Sequence, residues 1–243
     1  MRRIVLLVLS LLIALGCAAL GIWQLSRLSA RRAANHLAMA GRALPALDIG
    51  ADASWRATAN RRARLVGRLD ETREFLLRGR VIQGVPAVLV VTPMRILGSD
   101  TAILVNRGYV PAPDAVDPGS VTWSEAGRIR FQGVLLAIPD RGDGAPLRHA
   151  GRETWKGLDL QAMRARVPYP LAGVYLLAEA DSGDGVAHTI RGRVYPFRAE
   201  PPPLDEGPHL MYAVQWFGIA AAVTAFALLF VWRGGPGRAS TVP

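Results

Sequence analysis

The stretch Ile4–Trp23, IVLLVLSLLIALGCAALGIW, holds no acidic or basic residue, and it has a counterpart near the other end of the chain in Leu210–Trp232, LMYAVQWFGIAAAVTAFALLFVW. Each matches the roughly 20 residues that an α-helix needs to cross the hydrocarbon core of a bilayer. What lies between them is polar enough to be soluble. The expected fold class is therefore α+β, with two transmembrane helices flanking a mainly β extracytoplasmic domain. Residues 4–23 form the first span, 24–209 the domain, 210–232 the second span and 233–243 a cytoplasmic tail.

Outward from the first run, residues 24–42 keep helical character, with Leu25, Leu28 and Leu37 among alanines and arginines, and a stop is expected near Gly41. Residues 44–58 read as a loop. From Arg61 the period shortens. Residues 61–69, 74–82, 86–96, 101–110 and 128–136 are rich in Val, Leu and Ile and broken by Gly, Pro or Asp, which predicts strands. Leu97-Gly98-Ser99-Asp100 reads as a hairpin turn between two of them. Residues 159–167 predict a short helix, with Asp159 as N-cap and Pro168 at its end. Residues 174–180 and 187–195 read as a last strand pair around Asp181-Ser182-Gly183-Asp184-Gly185. Pro201-Pro202-Pro203 is a stiff lead into the second span. A small open barrel and a mixed α+β arrangement both fit this strand count.

The formal charge is +10, carried by arginine apart from Lys156, the sole lysine. A nucleic-acid surface needs cations clustered and interleaved with aromatics, whereas these are scattered, so no nucleic acid is expected. Anionic lipid headgroups, a basic genome-wide bias or a negatively charged cofactor explains the excess more simply. The single cysteine, Cys17, lies inside the first apolar run, which leaves no disulfide framework and no thiolate metal site. The chain has no Gly-x-Ser-x-Gly elbow, His-Glu-x-x-His, phosphate loop or dinucleotide fingerprint, and His36, His149, His188 and His209 are far apart. It is not expected to be an enzyme.

Met1-Arg2-Arg3 before an apolar core fits a signal peptide, but the run continues past Cys17 to Trp23, and Ala14 stands where a lipidation site would carry a large aliphatic. An uncleaved anchor is expected. Arg233 and Arg238 follow the second run and Glu200, Asp205 and Glu206 precede it, which keeps the C-terminus, and with two spans both termini, in the cytoplasm. Arg27, Arg31 and Arg32 beyond the first run are a discordant signal. The expected location is the cell membrane, the inner membrane of a bacterium, with the central domain outside the cytoplasm.

The entrance to the second span reads Gly207-Pro208-His209-Leu210-Met211-Tyr212-Ala213-Val214-Gln215-Trp216-Phe217. On a helix His209, Tyr212 and Trp216 put an imidazole, a phenol and an indole on one stripe at the outer membrane surface. That stripe reads as an interfacial aromatic belt. It also suits haem, because neutral imidazole is the usual proximal ligand of haem iron and flanking aromatics suit a macrocycle. Spacing alone admits both. At the end of the first span, Trp23 and Arg27 can stack, and Gln24 and Arg27 share a face that can meet a propionate or a headgroup, or serve only as an anchor. Small residues at contact spacing, Ala14, Cys17, Ala18 and Gly21 in one span and Gly218, Ala222 and Ala225 in the other, predict close packing of the two helices. Between them, Asn106-Arg107-Gly108-Tyr109-Val110-Pro111 reads as a strand with a bulge at Gly108 and an end at Pro111, with Arg107 paired to a carboxylate.

The chain resembles the Surfeit locus protein one family, the Shy-type membrane factors that assist assembly of cytochrome c oxidase. The matching pieces are Gly21-x-Trp23-Gln24-x-x-Arg27, Val105-Asn106-Arg107-Gly108-Tyr109-Val110-Pro111, Trp155-Lys156-Gly157-Leu158-Asp159-Leu160 and His209-Leu210-x-Tyr212-Ala213-x-Gln215-Trp216-Phe217, in family order. Two positions depart from the family's habit: Tyr109 stands for tryptophan and Pro208 for asparagine. The resemblance implies an assembly factor that helps insert haem a into the oxidase's catalytic subunit, with that subunit and the haem a synthesis machinery as partners. It assigns His209 as iron ligand, Tyr212 and Trp216 as ring neighbours and Arg27 as a propionate partner. Two other functions remain open: a scaffold that binds oxidase subunits without haem, and an extracytoplasmic ligand sensor.

Overall fold

A computed structural model describes residues 2–50, 55, 58–121, 123–125, 127–142, 146–149, 151–179, 188–190, 193–198, 201 and 203–233. The expected turn at residues 181–185 and the tail from 234 onward lie outside the described residues. The chain divides into two compact units, Met1–His36 with Leu204–Pro243, and Leu37–Pro203.

The first unit is built on α1 (Arg2–Ala43) and α3 (His209–Arg233). Both are long and apolar enough to cross a membrane. Ile4, Val5, Leu12, Phe226 and Leu228 stand exposed on them, as suits helices whose surroundings are apolar. Helix α1 does not stop at the end of its apolar run. It continues through the arginine-rich stretch to Ala43, where Pro45 disfavours further helical backbone in the residue before it. Gly207, at φ +67°, makes the turn into α3, and the Pro208 carbonyl accepts from Tyr212 N at 3.1 Å, so proline takes a place where its missing N–H costs nothing.

The second unit holds β1 (Leu47–Ile49), β2 (Arg62–Leu69), β3 (Phe75–Ile82), β4 (Val85–Ile96), β5 (Ala102–Pro111), β6 (Ile129–Ala137), β7 (Leu147–His149), β8 (Arg152–Trp155), α2 (Leu160–Arg164), β9 (Leu171–Ala178), β10 (His188–Ile190) and β11 (Arg193–Tyr195). Nine strands form one sheet in the order β1-β2-β6-β9-β5-β4-β3-β8-β7, and a further β2–β4 pairing closes β2, β6, β9, β5 and β4 into a barrel. Strand β4 makes this possible. Its first part pairs with β3, its last three residues pair with Leu69, Arg68 and Gly67 of β2, and Pro93, with no N–H to donate, stands in the gap between the two partners.

Alternation of inward and outward residues fills the barrel with Leu65, Met94, Ile103, Val105, Phe131 and Leu176. Outside it, α2 buries Leu160 and Met163 against Phe75, Leu104 and Trp155, and a third cluster gathers Leu76, Val90, Val110 and Trp123. Asp159 caps α2 through Ala162 N at 2.9 Å, as its place before the helix suggests.

Two readings need correction. Residues 174–180 and 187–195 do not pair with each other: β9 lies between β5 and β6, and β10 pairs with β11. Val174, Leu176 and Leu177 are buried, and a strand covered on both sides belongs inside a sheet, not in a terminal hairpin. The expected loop over 44–58 contains β1, a three-residue parallel edge strand too short for periodicity to reveal.

Candidate functional site

In the first unit, the least exposed positions of α1 include Ala14, Cys17, Gly21, Gln24, Leu28 and Asn35, and those of α3 include His209, Ala213, Trp216, Ala220 and Val223. Both series advance in steps of three and four or their sum, the spacing of a helix–helix seam. Gly21 lets the chains come close, since a Cβ there would lie 2.7 Å from the Phe217 ring. The small stripe of α1 is on the seam as expected. That of α3 is not: Gly218, Ala222 and Ala225 are exposed, and Ala213 and Ala220 take their place.

Within this seam His209 Nδ1 lies 2.9 Å from Gln24 Oε1. An amide oxygen can only accept, so Nδ1–H is the donor in this contact, and the tautomer that makes it carries its lone pair on Nε2. The Nε2 edge lies beside the bare Cα of Gly207: a Cβ there would be 3.7 Å from Nε2. Arg27, Ala30, Arg31, Asp205, Gly207 and His209 line a depression of about 400 Å³. Among the described residues Arg27 has no hydrogen-bond or ion-pair partner.

The approach to α3 is tied along α1. Arg32 grips Glu206 with two bonds of 2.7 and 2.8 Å, Arg31 reaches the Asp205 carboxylate at 3.7 Å and its carbonyl at 3.2 Å, and Asn35 Nδ2 donates to the carbonyls of Leu204 and Asp205 at 3.1 and 2.7 Å. Exposed pairs contribute little singly, but here they converge on three consecutive residues and so fix where His209 begins its helix. They also give Arg31 and Arg32, two of the three arginines that read as a discordant charge signal in the sequence, a structural task.

Of the residues singled out in the sequence, His209 and Arg27 share the depression. Tyr212 is 46% exposed and Trp216 is partly covered in the seam, and neither lines it. The donor set suits a haem: an oriented imidazole with one free nitrogen, and a guanidinium that makes no ion pair among the described residues, the Asp205 carboxylate of the same depression being turned to Arg31 at 3.7 Å. Gln24 was legible as a motif residue, but its bond to His209 joins positions far apart in the chain, and spacing gives no sign of it.

The second unit contains a charged cluster around the signature strand. Register between β4 and β5 slips at Arg107, the extra residue of a bulge, and Gly108 beside it has φ +114°. The bulge turns Arg107 into the protein, where it is fully buried. Its Nε donates to Glu125 Oε2 at 2.7 Å, Nη1 to Thr92 Oγ1 at 3.3 Å and Nη2 to the Trp123 carbonyl, with Glu71 and Glu74 carboxylates at 3.4 and 3.7 Å. Arg198 adds bonds to Glu125 and to the Arg107 carbonyl. Burial pushes the Arg198 guanidinium below its ordinary value, against the opposing pull of Glu125, and pushes the Glu74 carboxyl up, against hydrogen bonding from Trp123. Every donor of Arg107 is directed at protein, so this is a structural lock and not a site open to chemistry. The sequence indicated a carboxylate for Arg107; which one was hidden, because Glu71, Glu74, Glu125 and Arg198 are brought together only by the sheet.

Residues 11–221 match the model of the family described as the SURF1 family. A SURF1-like protein of Monosiga brevicollis is 25% identical over 174 residues, which is 70% of this chain and 62% of that protein. Surfeit locus protein 1 of Xenopus tropicalis is 29% identical over 139 residues, 56% of this chain and 41% of the relative, and that of Homo sapiens 28% over 152 residues, 61% and 46%. The chain thus spans about half the length of the curated relatives it matches.

Proposed function

Since a match over residues 11–221 means that the chain belongs to the SURF1 family, we propose that it is a membrane-anchored assembly factor for cytochrome c oxidase, one that holds haem a near the outer membrane face on its way to the catalytic subunit. The cargo comes from the haem a synthesis machinery and leaves to the oxidase subunit. The protein binds and positions, without catalysing a reaction of its own.

The observation that carries this reading is the orientation of His209. Gln24 Oε1 accepts a hydrogen bond from Nδ1–H, so Nε2 is presented as a ligand atom, and the unpartnered Arg27 guanidinium on the same depression suits a propionate. Bound haem would supply an iron that accepts the imidazole nitrogen and an apolar ring that packs on aromatic surface. Trp216 in the seam and Tyr212 on its outer side are the ring's neighbours in this reading. The location that goes with it is the inner membrane of a bacterium, both termini cytoplasmic, the β domain outside.

The test is the absorption spectrum of the full chain purified in detergent from cells that make haem a. Wild-type protein is expected to carry haem, and His209→Ala to lose it or to shift its spectrum. Retention of the wild-type amount and spectrum by His209→Ala would falsify the ligand assignment. Copurification of the oxidase subunit at undiminished yield from a host without haem a would favour the haem-free scaffold instead.

A further inference from the structure

A row of arginines crosses the outer face of the barrel. Arg68 on β2 is in register with Arg95 on β4, and because Gly67 pairs with Ile129, the next step of the antiparallel β2–β6 ladder sets Arg128 beside Arg68. All three are exposed, and they line one depression of about 550 Å³ together with the turn Leu97-Gly98-Ser99. Like charges directly opposite on neighbouring strands repel. Among the described residues Arg68 and Arg128 have no hydrogen-bond or ion-pair partner, and Arg95 has only the face of Tyr169, 5.2 Å from its ring centroid.

Three other exposed arginines of the same domain each meet a carboxylate. Arg62 meets Glu179 at 3.3 Å, Arg64 meets Asp48 at 2.9 Å, and Arg166 meets Glu153 at 3.0 Å. Asp70, the carboxylate that lines the depression, is occupied by Thr72 Oγ1 at 2.6 Å, Tyr169 OH at 2.7 Å and Arg73 Nη1 at 3.1 Å.

We propose that the Arg68–Arg95–Arg128 row is a binding site for a phosphate-bearing anion. Guanidinium forks donate in pairs to oxygens held in a plane, and a phosphate offers more oxygens and more charge to three forks than a single carboxylate does. The Ser99 hydroxyl, which accepts from Thr101 N at 3.2 Å, has its own proton to donate to the same anion. The shared chemistry has two sources, a lipid headgroup or free phosphate. Leu97, 59% exposed beside the row, gives a headgroup an apolar contact that free phosphate would not use.

The test is titration of the full chain in non-ionic detergent, at low ionic strength, with inorganic phosphate, with a short-chain phosphatidylglycerol, and with phosphatidylcholine of the same acyl length. Saturable binding of an anion is expected, weakened by added salt, and reduced at least about tenfold in the triple variant Arg68→Gln, Arg95→Gln, Arg128→Gln. The neighbouring, ion-paired Arg64→Gln serves as the control and is expected to bind as wild type does. Binding of inorganic phosphate with this residue dependence assigns a free anion, and binding of phosphatidylglycerol alone assigns a headgroup. Absence of saturable binding by either, or binding undiminished in the triple variant, overturns the proposal. The double variant Arg68→Gln, Arg128→Gln removes two exposed, mutually repelling charges and leaves the Arg95 contact with Tyr169 in place, so its Tm is expected to hold or rise; a lower Tm would overturn the premise that the row is uncompensated.

Discussion

Glu74 carries its carboxyl between the Trp123 indole, whose Nε1 donates to both oxygens at 3.1 and 3.0 Å, and the buried Arg107. Burial raises its pKa above the ordinary 4.5, more than Trp123 and Arg107 lower it. The native state therefore holds this proton more tightly than the unfolded chain does. The stability it contributes is fully present below pH 4.5 and is lost as pH rises through the raised native value. Glu74→Gln keeps an acceptor for the indole and carries no charge, so it lacks that loss. Thermal unfolding of the two full chains in detergent, followed from acid to neutral pH, is expected to show the variant gaining on wild type as pH rises. A constant offset would mean that the raised value is wrong. Arg107 belongs to the same balance: a buried cation is tolerated because three carboxylates, a hydroxyl and a carbonyl face it.

At the scale of the element, the bulge in β5 decides where that cation points. A Cβ on residue 108 would overlap the Phe197 carbonyl, which accepts from Tyr109 N at 2.9 Å, and φ +114° is a backbone region that side chains avoid. Gly108→Ala is expected to destabilise the protein by about 2–4 kcal/mol, read as a lower unfolding midpoint, whereas the same change at Gly84, where a Cβ meets nothing, is expected to cost less. The bulge was legible because glycine followed by an aromatic and a proline is a local pattern. So were β2 to β6, whose apolar periodicity and glycine and proline breaks survive in the folded elements to within a residue or so. What stayed hidden was order. Closure through β2–β4 depends on β4 changing partners midway, and no local window contains both partners. The same holds for the site: helical spacing puts His209 and Trp216 on one covered face, but Tyr212 of the expected stripe is exposed, and Gln24 reaches His209 across 185 residues of chain.

For the molecule as a whole, two apolar helices at the ends and an arginine-rich β domain between them set the expected membrane arrangement. It is checked by replacing Cys17 with serine, placing a single cysteine at the exposed Val81, and treating intact bacterial cells with a membrane-impermeant maleimide. Labelling without lysis is expected; labelling only after lysis would put the β domain in the cytoplasm and undo the proposed route for haem. The buried lock also sets an order of events during synthesis. Arg198, whose side chain reaches the Arg107 carbonyl 91 positions back and Glu125 73 positions back, leaves the ribosome shortly before His209 and the second apolar helix. Until then Glu125 has one of its two cations and the domain is unfinished. Nearly the whole domain must therefore be synthesised before its last fastening can close, and a chain stalled upstream of Arg198 would leave Glu125 half-neutralised and the Arg107 carbonyl without that donor.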